Sequence, residues 1–265
     1  MNMMEHQNLY QHFRKEERLF IDRVYEWKMR VEDTYIPFVT PFLNPREQFI
    51  ISTLFSEKDC VQLYFNGIFE QGERKRALMT FADEAHQDDF GQVLFSIRYP
   101  QKFAQLKHNR ILGTLLGQGI KREHIGDIVT NGEEWQIVVT KQVAPYIKEN
   151  CKKVGSISVG FDEIDYCKKI EPMMSYQLLH TTVSSLRLDA LLATTFHLSR
   201  QTVKEYIENG LVSVNWKEET KGHTEITLAD TVSLRRYGRI VLHDVQGISK
   251  SGKLKVQIYI VNNKK

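Results

Sequence analysis

A chain of 265 residues, 42% hydrophobic and 26% charged, has a globular composition, which excludes disorder over most of its length and points to two or three small domains. No apolar run approaches the ~20 residues that cross a bilayer, and Met1 to Gln11 are too polar for a secretory leader, so a cytoplasmic protein is expected. The net charge of +3 is unevenly placed: His180 to Lys265 carry 13 Lys+Arg against 8 Asp+Glu, a net of +5, and the remaining residues carry 23 against 25, a net of −2. A basic C-terminal third is the footprint of a phosphate-backbone binder or of a solvated basic face.

The N-terminal stretch reads as helical, with Phe13, Leu19, Phe20, Val24 and Trp27 recurring at three- and four-residue spacing until Pro37, Pro41 and Pro45 interrupt it. Asn44-Pro45-Arg46-Glu47 is a helix start, with Asn44 as N-cap, Pro45 at the first position and Glu47 in the first turn. Val61 to Phe65 and Ala77 to Phe81 read as strands, and Asn66-Gly67 as a turn. From Val93 the expected order is strand (Val93 to Tyr99), helix (Phe103 to Leu116), strand (Ile125 to Thr130), strand (Trp135 to Thr140), helix (Val143 to Cys151) and strand (Ser156 to Phe161), with a hairpin at Asn131-Gly132-Glu133. This β-α-β-β-α-β string is the signature of a ferredoxin-like layer. Between Phe161 and Ser184 the chain turns polar, with Asp162, Glu163, Asp165, Lys168, Lys169, Glu171 and Pro172 and only scattered apolar residues, and a domain boundary is placed near Val183. The short basic tail Asn262-Asn263-Lys264-Lys265 is the one low-complexity piece.

The most informative stretch follows. Arg187 to Leu192 reads as a helix; Leu198 to Ile207 reads as a second helix capped by Ser199, with Val203, Tyr206 and Ile207 as its buried stripe. Gly210 supplies a left-handed stop, and Val212 and Val214 point to one side of a strand. Arg200 and Lys204 lie about 40° apart on the helix, beside the apolar stripe, where they either bridge phosphates or leave Lys204 to pair with Glu208. Arg235-Arg236-Tyr237-Gly238-Arg239 adds three guanidinium groups, which match phosphate oxygens, and an aromatic ring that can stack on a base.

Arg187-Leu188-Asp189, Ser199-Arg200 and Gly210-x-Val212-x-Val214-Asn215 together resemble the S-four family, the RNA-binding domain named after a ribosomal small-subunit protein. Thr224 to Leu228 and Thr231 to Arg235 fit its next two strands, with Ala229-Asp230 at the turn. Trp216 and Ala229 stand where the pattern has Gly, and Ala tolerates a positive φ poorly. The Arg-rich Tyr-Gly-Arg turn and Trp216 look like the YlmH-type branch, as do His108 and the stretches Leu112 to Gly117, Gly119 to Glu123 and Ile125 to Ile128, although Asn109-Arg110 departs from the branch's usual Arg-Asp order. The resemblance implies work on rRNA or tRNA, on the large ribosomal subunit with peptidyl-tRNA during rescue of stalled translation, and a link to cell division.

The resulting expectation is an α+β protein with a mixed N-terminal region (1–90), a ferredoxin-like, RRM-like middle domain (91–182) and an S-four-type RNA-binding domain (183–265). RNA contacts are expected from Arg187, Ser199, Arg200, Lys204, Asn215, Trp216, Lys217, Arg235, Arg236, Tyr237 and Arg239. No membrane or DNA partner is expected. Neither is a cofactor or metal: Gly113, Gly117 and Gly119 form no dinucleotide or phosphate-loop motif and read as allowing tight helix packing and a turn. Cys60, Cys151 and Cys167 lack Cys-x-x-Cys spacing and read as reduced, partly buried thiols. Arg-Leu-Asp also holds the catalytic aspartate of pseudouridine synthases, but the Ser184-Ser185 lead-in and the capped helix that follows make Asp189 structural. The expectation is a binding protein rather than an enzyme. An RNA-modifying enzyme and a scaffold for division machinery are the alternatives.

Overall fold

The computed structural model describes residues 13–56, 58–70, 72–81, 89–173 and 175–262; the polar start (1–11) and the last basic residues (263–265) lie outside them. The chain divides into two compact units, Met1–Pro172 and Met173–Lys265.

The first unit opens with α1 (Arg18–Thr34), which buries Ile21, Val24 and Val31 and stops where Tyr35 turns left-handed, at φ 58°. After β1 (Phe38–Val39), α2 (Pro45–Thr53) starts at a complete capping box. Asn44 Oδ1 accepts from the Glu47 N–H at 2.9 Å, and Glu47 Oε2 accepts from the Asn44 N–H at 2.7 Å. Strands β2 (Val61–Asn66) and β3 (Arg76–Phe81) complete an antiparallel sheet in the order β1-β3-β2.

The rest of the unit is β4 (Gln92–Arg98), α3 (His108–Gly117), β5 (Ile125–Thr130), β6 (Trp135–Thr140), α4 (Ala144–Asn150), a small hairpin of β7 (Lys153–Val154) and β8 (Ile157–Ser158), and β9 (Gly160–Ile164). The sheet runs β5-β6-β4-β9, all antiparallel, which is the strand order of a split βαβ layer. Helix α3 starts five residues later than its apolar pattern suggests, because Pro100 to Ala104 form a turn and Lys107 is extended. The single strand expected over Ser156 to Phe161 is divided between β8 and β9. Gly119, at φ 83°, makes the expected turn, but a Cβ at Gly113 or Gly117 would meet no atom of another described element within 4 Å. Among the cysteines only Cys151 is buried; Cys60 and Cys167 are exposed.

Both faces of this sheet are buried. Val93, Phe95, Ile97, Ile137 and Val139 pack on Ile111, Leu115 and Ile147 of the two helices. Leu94, Val129 and Val138, on the opposite face, are covered by Phe42 and Phe69, with Ile68 and Ile170 at the margin. Gly126 is required here, since a Cβ would lie 2.8 Å from the Phe42 ring. Polar ties reinforce the cover: Arg74 Nη2 donates to Phe42 O at 2.6 Å, and Gln136, 1% exposed, donates to Lys168 O and accepts from the Ile170 N–H. The residues before 90 thus lie in the same compact unit as the layer they cover.

The second unit is a six-stranded antiparallel sheet in the order β10-β15-β14-β13-β11-β12 with two helices on one face. Its elements are β10 (Ser175–Val183), α5 (Leu188–Thr195), α6 (Arg200–Glu208), β11 (Val212–Val214), β12 (Lys217–Glu218), β13 (Thr231–Leu234), β14 (Gly238–Ile248) and β15 (Leu254–Asn262). The boundary falls ten residues before the one expected, because β10 pairs with β15 along its whole length, from Ser175↔Asn262 to Val183↔Leu254. Thr224 to Leu228 is not a strand. It is an extended segment held to the start of α5 by Ile226 N–H to Leu186 O (2.8 Å) and Leu188 N–H to Thr224 O (2.9 Å).

One carboxyl at the covered sheet face titrates abnormally. Removal from water, with the charge of Glu73 nearby, pushes Asp127 up to about 7, although the Arg74 N–H and the Arg74 and Arg122 guanidinium groups favour its ionised form. A folded-state value above the unfolded one stabilises the fold at low pH, and this contribution is lost as pH rises from about 4 to about 7. Chemical denaturation at pH 5 and pH 8 is expected to show a smaller loss of stability in Asp127→Asn than in the parent. Equal losses would mean that Asp127 is already ionised in the folded protein at pH 5.

Candidate nucleic-acid interface

The candidate site is built by α5, α6 and two hairpin turns. Arg187 is the N-cap of α5 and grips Asp189, in its first turn, with two prongs: Nη2 to Oδ2 at 2.8 Å and Nε to Oδ1 at 3.1 Å. Partial burial opposes ionisation of Asp189, but Arg187, Arg200 and the Ala190 N–H hold its carboxyl below the usual range. Asp189 is thus an ionised, arginine-paired anchor of the helix start. Ser199 caps α6 through Oγ, accepting from the Thr202 N–H at 3.0 Å. Arg200 Nη2 donates to Ser184 Oγ at 2.7 Å, and Lys204 lies 3.7 Å from Glu208, so the i,i+4 pair is formed. Both partners of that pair are more than half exposed, and such pairs contribute only about 0.3–0.5 kcal/mol.

The first turn joins β11 to β12. Val214 pairs with Lys217, so Asn215 and Trp216 form a two-residue loop with φ of 49° and 65°. Asn215 does not face outward. Its Nδ2 donates to Asp230 Oδ1 at 2.8 Å and its Oδ1 accepts from the Thr231 N–H at 3.0 Å. The fully buried Asp230 also accepts from the Thr227 N–H and hydroxyl. Asn215, half-buried, is thus a structural clamp, which locks this hairpin to the turn where Ala229 sits at φ 63°. Trp216 remains 46% exposed at the tip, and Lys217 is exposed beside it.

The second turn joins β13 to β14. Leu234 pairs with Gly238, leaving Arg235, Arg236 (φ 73°) and Tyr237 as the loop. The Tyr237 ring lies 5.7 Å from both Phe196 and Tyr206, and the two tyrosine hydroxyls are 3.2 Å apart. Arg235 and Arg236 are exposed and Arg239 is half-buried. Between the two turns opens a cleft of about 650 Å³, lined by Trp216, Glu218, Arg235, Arg236, Tyr237 and Arg239.

The predicted residues thus form two groups. On α6, Val203 and Ile207 face the core, Arg200 and Lys204 lie on one flank, and Tyr206, about 120–160° around the axis from them, lies on the other and touches Tyr237. Phe196 and Tyr206, which hold the second turn in place, are missed by the pattern reading, in which Tyr206 counts as core. Its position at the edge of the stripe was the available signal.

A paired-helix and hairpin module with cations on both flanks of one helix defines an RNA-binding protein, and comparison with known proteins agrees. Residues 186–232 match the S4 domain, residues 85–168 the putative RNA-binding domain in YlmH, and residues 16–83 the YlmH N-terminal region. The chain belongs to the YlmH family. It is 38% identical over 251 residues to the ribosome-associated protein quality control protein P2 of Bacillus subtilis (strain 168), covering 94% of this chain and 97% of that one. The solved structure of the cell division protein ylmH from Streptococcus pneumoniae is 36% identical, with a TM-score of 0.52, over 61% of this chain and 99% of that chain.

Non-glycine residues at positive φ cost roughly 1–2 kcal/mol each. Ala229→Gly is expected to raise the unfolding free energy by about 1 kcal/mol without changing RNA affinity. Trp216→Gly is expected to stabilise similarly but to weaken RNA binding by about 1–3 kcal/mol, the contribution of a stacked ring. Parallel melts and filter-binding assays check both, and unchanged affinity in Trp216→Gly would remove Trp216 from the site.

Proposed function

We propose that this protein is a cytoplasmic, non-catalytic binder of structured rRNA and tRNA, acting on the large ribosomal subunit with peptidyl-tRNA in ribosome-associated quality control. The observation that carries the reading is the cationic and aromatic cleft on an S4-type unit, in a chain aligned over nearly its whole length with a protein named for ribosome-associated quality control. Helix α6 is a ridge with Arg200 and Lys204 on one flank and the Arg235-Arg236 turn beside the other. Such a ridge fits between two phosphate backbones, as at a helical junction or a tRNA stem, better than along a single strand, which would need a row of stacking rings. Asp189, the aspartate that a pseudouridine-synthase-like activity would use, is already paired with Arg187, which favours binding over catalysis. The name of the Streptococcus pneumoniae relative favours a second reading, a role in cell division.

Arg235, Arg236 and Arg239 replaced together by Gln keep hydrogen-bonding reach and lose charge. The triple variant is expected to leave the large-subunit fraction of a sucrose gradient while keeping the parent's melting temperature. Arg200→Ala with Lys204→Ala is expected to flatten the salt dependence of RNA binding by about one log-log unit for each phosphate that is no longer neutralised. A triple variant that still co-sediments would overturn the cleft assignment, and a parent chain that never joins ribosomes would leave the division reading.

A further inference from the structure

In the first unit the sheet face that a split βαβ layer can offer to RNA is covered by Phe42, Phe69 and their neighbours. The solvent side of its helical layer is built differently. With Ile111 and Leu115 in the core, Arg110, Gly113 and Gly117 share the outward face of α3. A Gly in a helix interior destabilises it relative to Ala, and among the described residues outside the helix's own backbone no atom lies close enough to Gly113 to require one. Gly113 thus leaves bare helix backbone on this outward face.

The segment after α4 runs beside this face. Cys151 Sγ donates to Gln118 Oε1 at 3.1 Å at one end of α3, and Arg110 Nη1 lies 3.9 Å from a Cβ built on Gly155, toward the other. Four extended residues span about 13 Å and eight helical residues about 12 Å, so the two run side by side. Val154 is buried, and its neighbour Lys153 is exposed on the outer side with Lys152 before it.

Lys107, Arg110, Lys148, Lys152 and Lys153 are all exposed, and none makes an ion pair among the described residues. Arg98, Lys121, Lys141 and Lys169 of the same unit do pair, with Asp162, Glu123, Asp89 and Glu70, whereas Lys102 and Lys168, elsewhere on the unit, do not. Glu149 is the acidic side chain on this stretch of α4.

We propose that the outward face of α3, with Lys152 and Lys153 beside it, is a second RNA contact that grips the phosphate backbone of a duplex. Point charges around bare helix backbone read phosphates rather than bases, and Gly113 lets a backbone strand ride against the helix. This deepens the RNA-binding reading and rests on it, but it uses residues outside the cleft.

The test uses the full chain and a blunt RNA duplex as probe. Gln at Lys107, Arg110, Lys152 and Lys153 is expected to lower the slope of log affinity against log salt by about two to four units. Gly113→Leu is expected to raise the melting temperature and weaken duplex binding about tenfold, a combination that a misfolded variant cannot give. An unchanged slope with unchanged Gly113→Leu affinity overturns the proposal, and is the result expected if the face instead docks an acidic protein. Loss of binding only in the Arg235, Arg236, Arg239 variant overturns this second site and leaves the cleft standing. A parent chain that does not retain the duplex overturns both.

Discussion

A sheet with apolar side chains on both faces has to be covered twice. In the first unit α3 and α4 cover one face of the β5-β6-β4-β9 sheet, and the chain's own N-terminal portion covers the other through Phe42 and Phe69. Several features follow from this constraint. Residue 126 must be Gly to admit the Phe42 ring, Arg74 is buried where it caps the carbonyl of Phe42, and Asp127 is enclosed next to it. The layer also loses the sheet surface through which it could read bases, so contact with nucleic acid shifts to charge on its helical side.

The second unit relies on a different device. Its sheet and helices pack around Leu191, Val203, Val232 and Ile258, and two polar contacts, one partly buried and one exposed, hold its two turns. Asn215 and Asp230 fix one hairpin tip against a neighbouring turn, and the Tyr206–Tyr237 contact fixes the other to α6. Five of its residues take left-handed backbone conformations, and in three of them, Trp216, Ala229 and Arg236, no Asn or His side chain eases a conformation that glycine would adopt more easily. Strain persists at such positions only where the surrounding structure over-determines it, and two of the three line the cleft.

Much of this was legible in the sequence where local chemistry dictates local structure. The Asn44-Pro45-Arg46-Glu47 start, the Ser199 cap, the β-α-β-β-α-β order and the Ala229 turn each rest on a few adjacent residues. What was not legible depends on distant pairing. β10 reads as polar because its Gln177, His180, Thr181 and Thr182 are tolerated only opposite β15. Nothing near Phe42 reveals that its ring lies on a later sheet, which joins the residues before 90 to that layer in one compact unit. The candidate site was read as residues but not as an arrangement. Helix α6 separates Arg200 and Lys204 from the arginine turn, and the partner that holds Asn215, Asp230, stands fifteen positions away, so neither relation shows in the local pattern.

The pairing of β10 with β15 also sets an order of events during synthesis. Domains form as the chain emerges, N-terminal part first, and contacts between distant residues are slow to close. The first unit holds all its strands by Ile164, and can settle early. In the second unit the first strand to emerge waits for the last, with both helices and four strands made in between. Until β15 arrives, β10 presents a long unpaired edge and Leu179 and Val183 lack their cover, which is the kind of surface that nascent chains aggregate through. The RNA-binding unit is therefore the late and vulnerable part of this protein's own biogenesis.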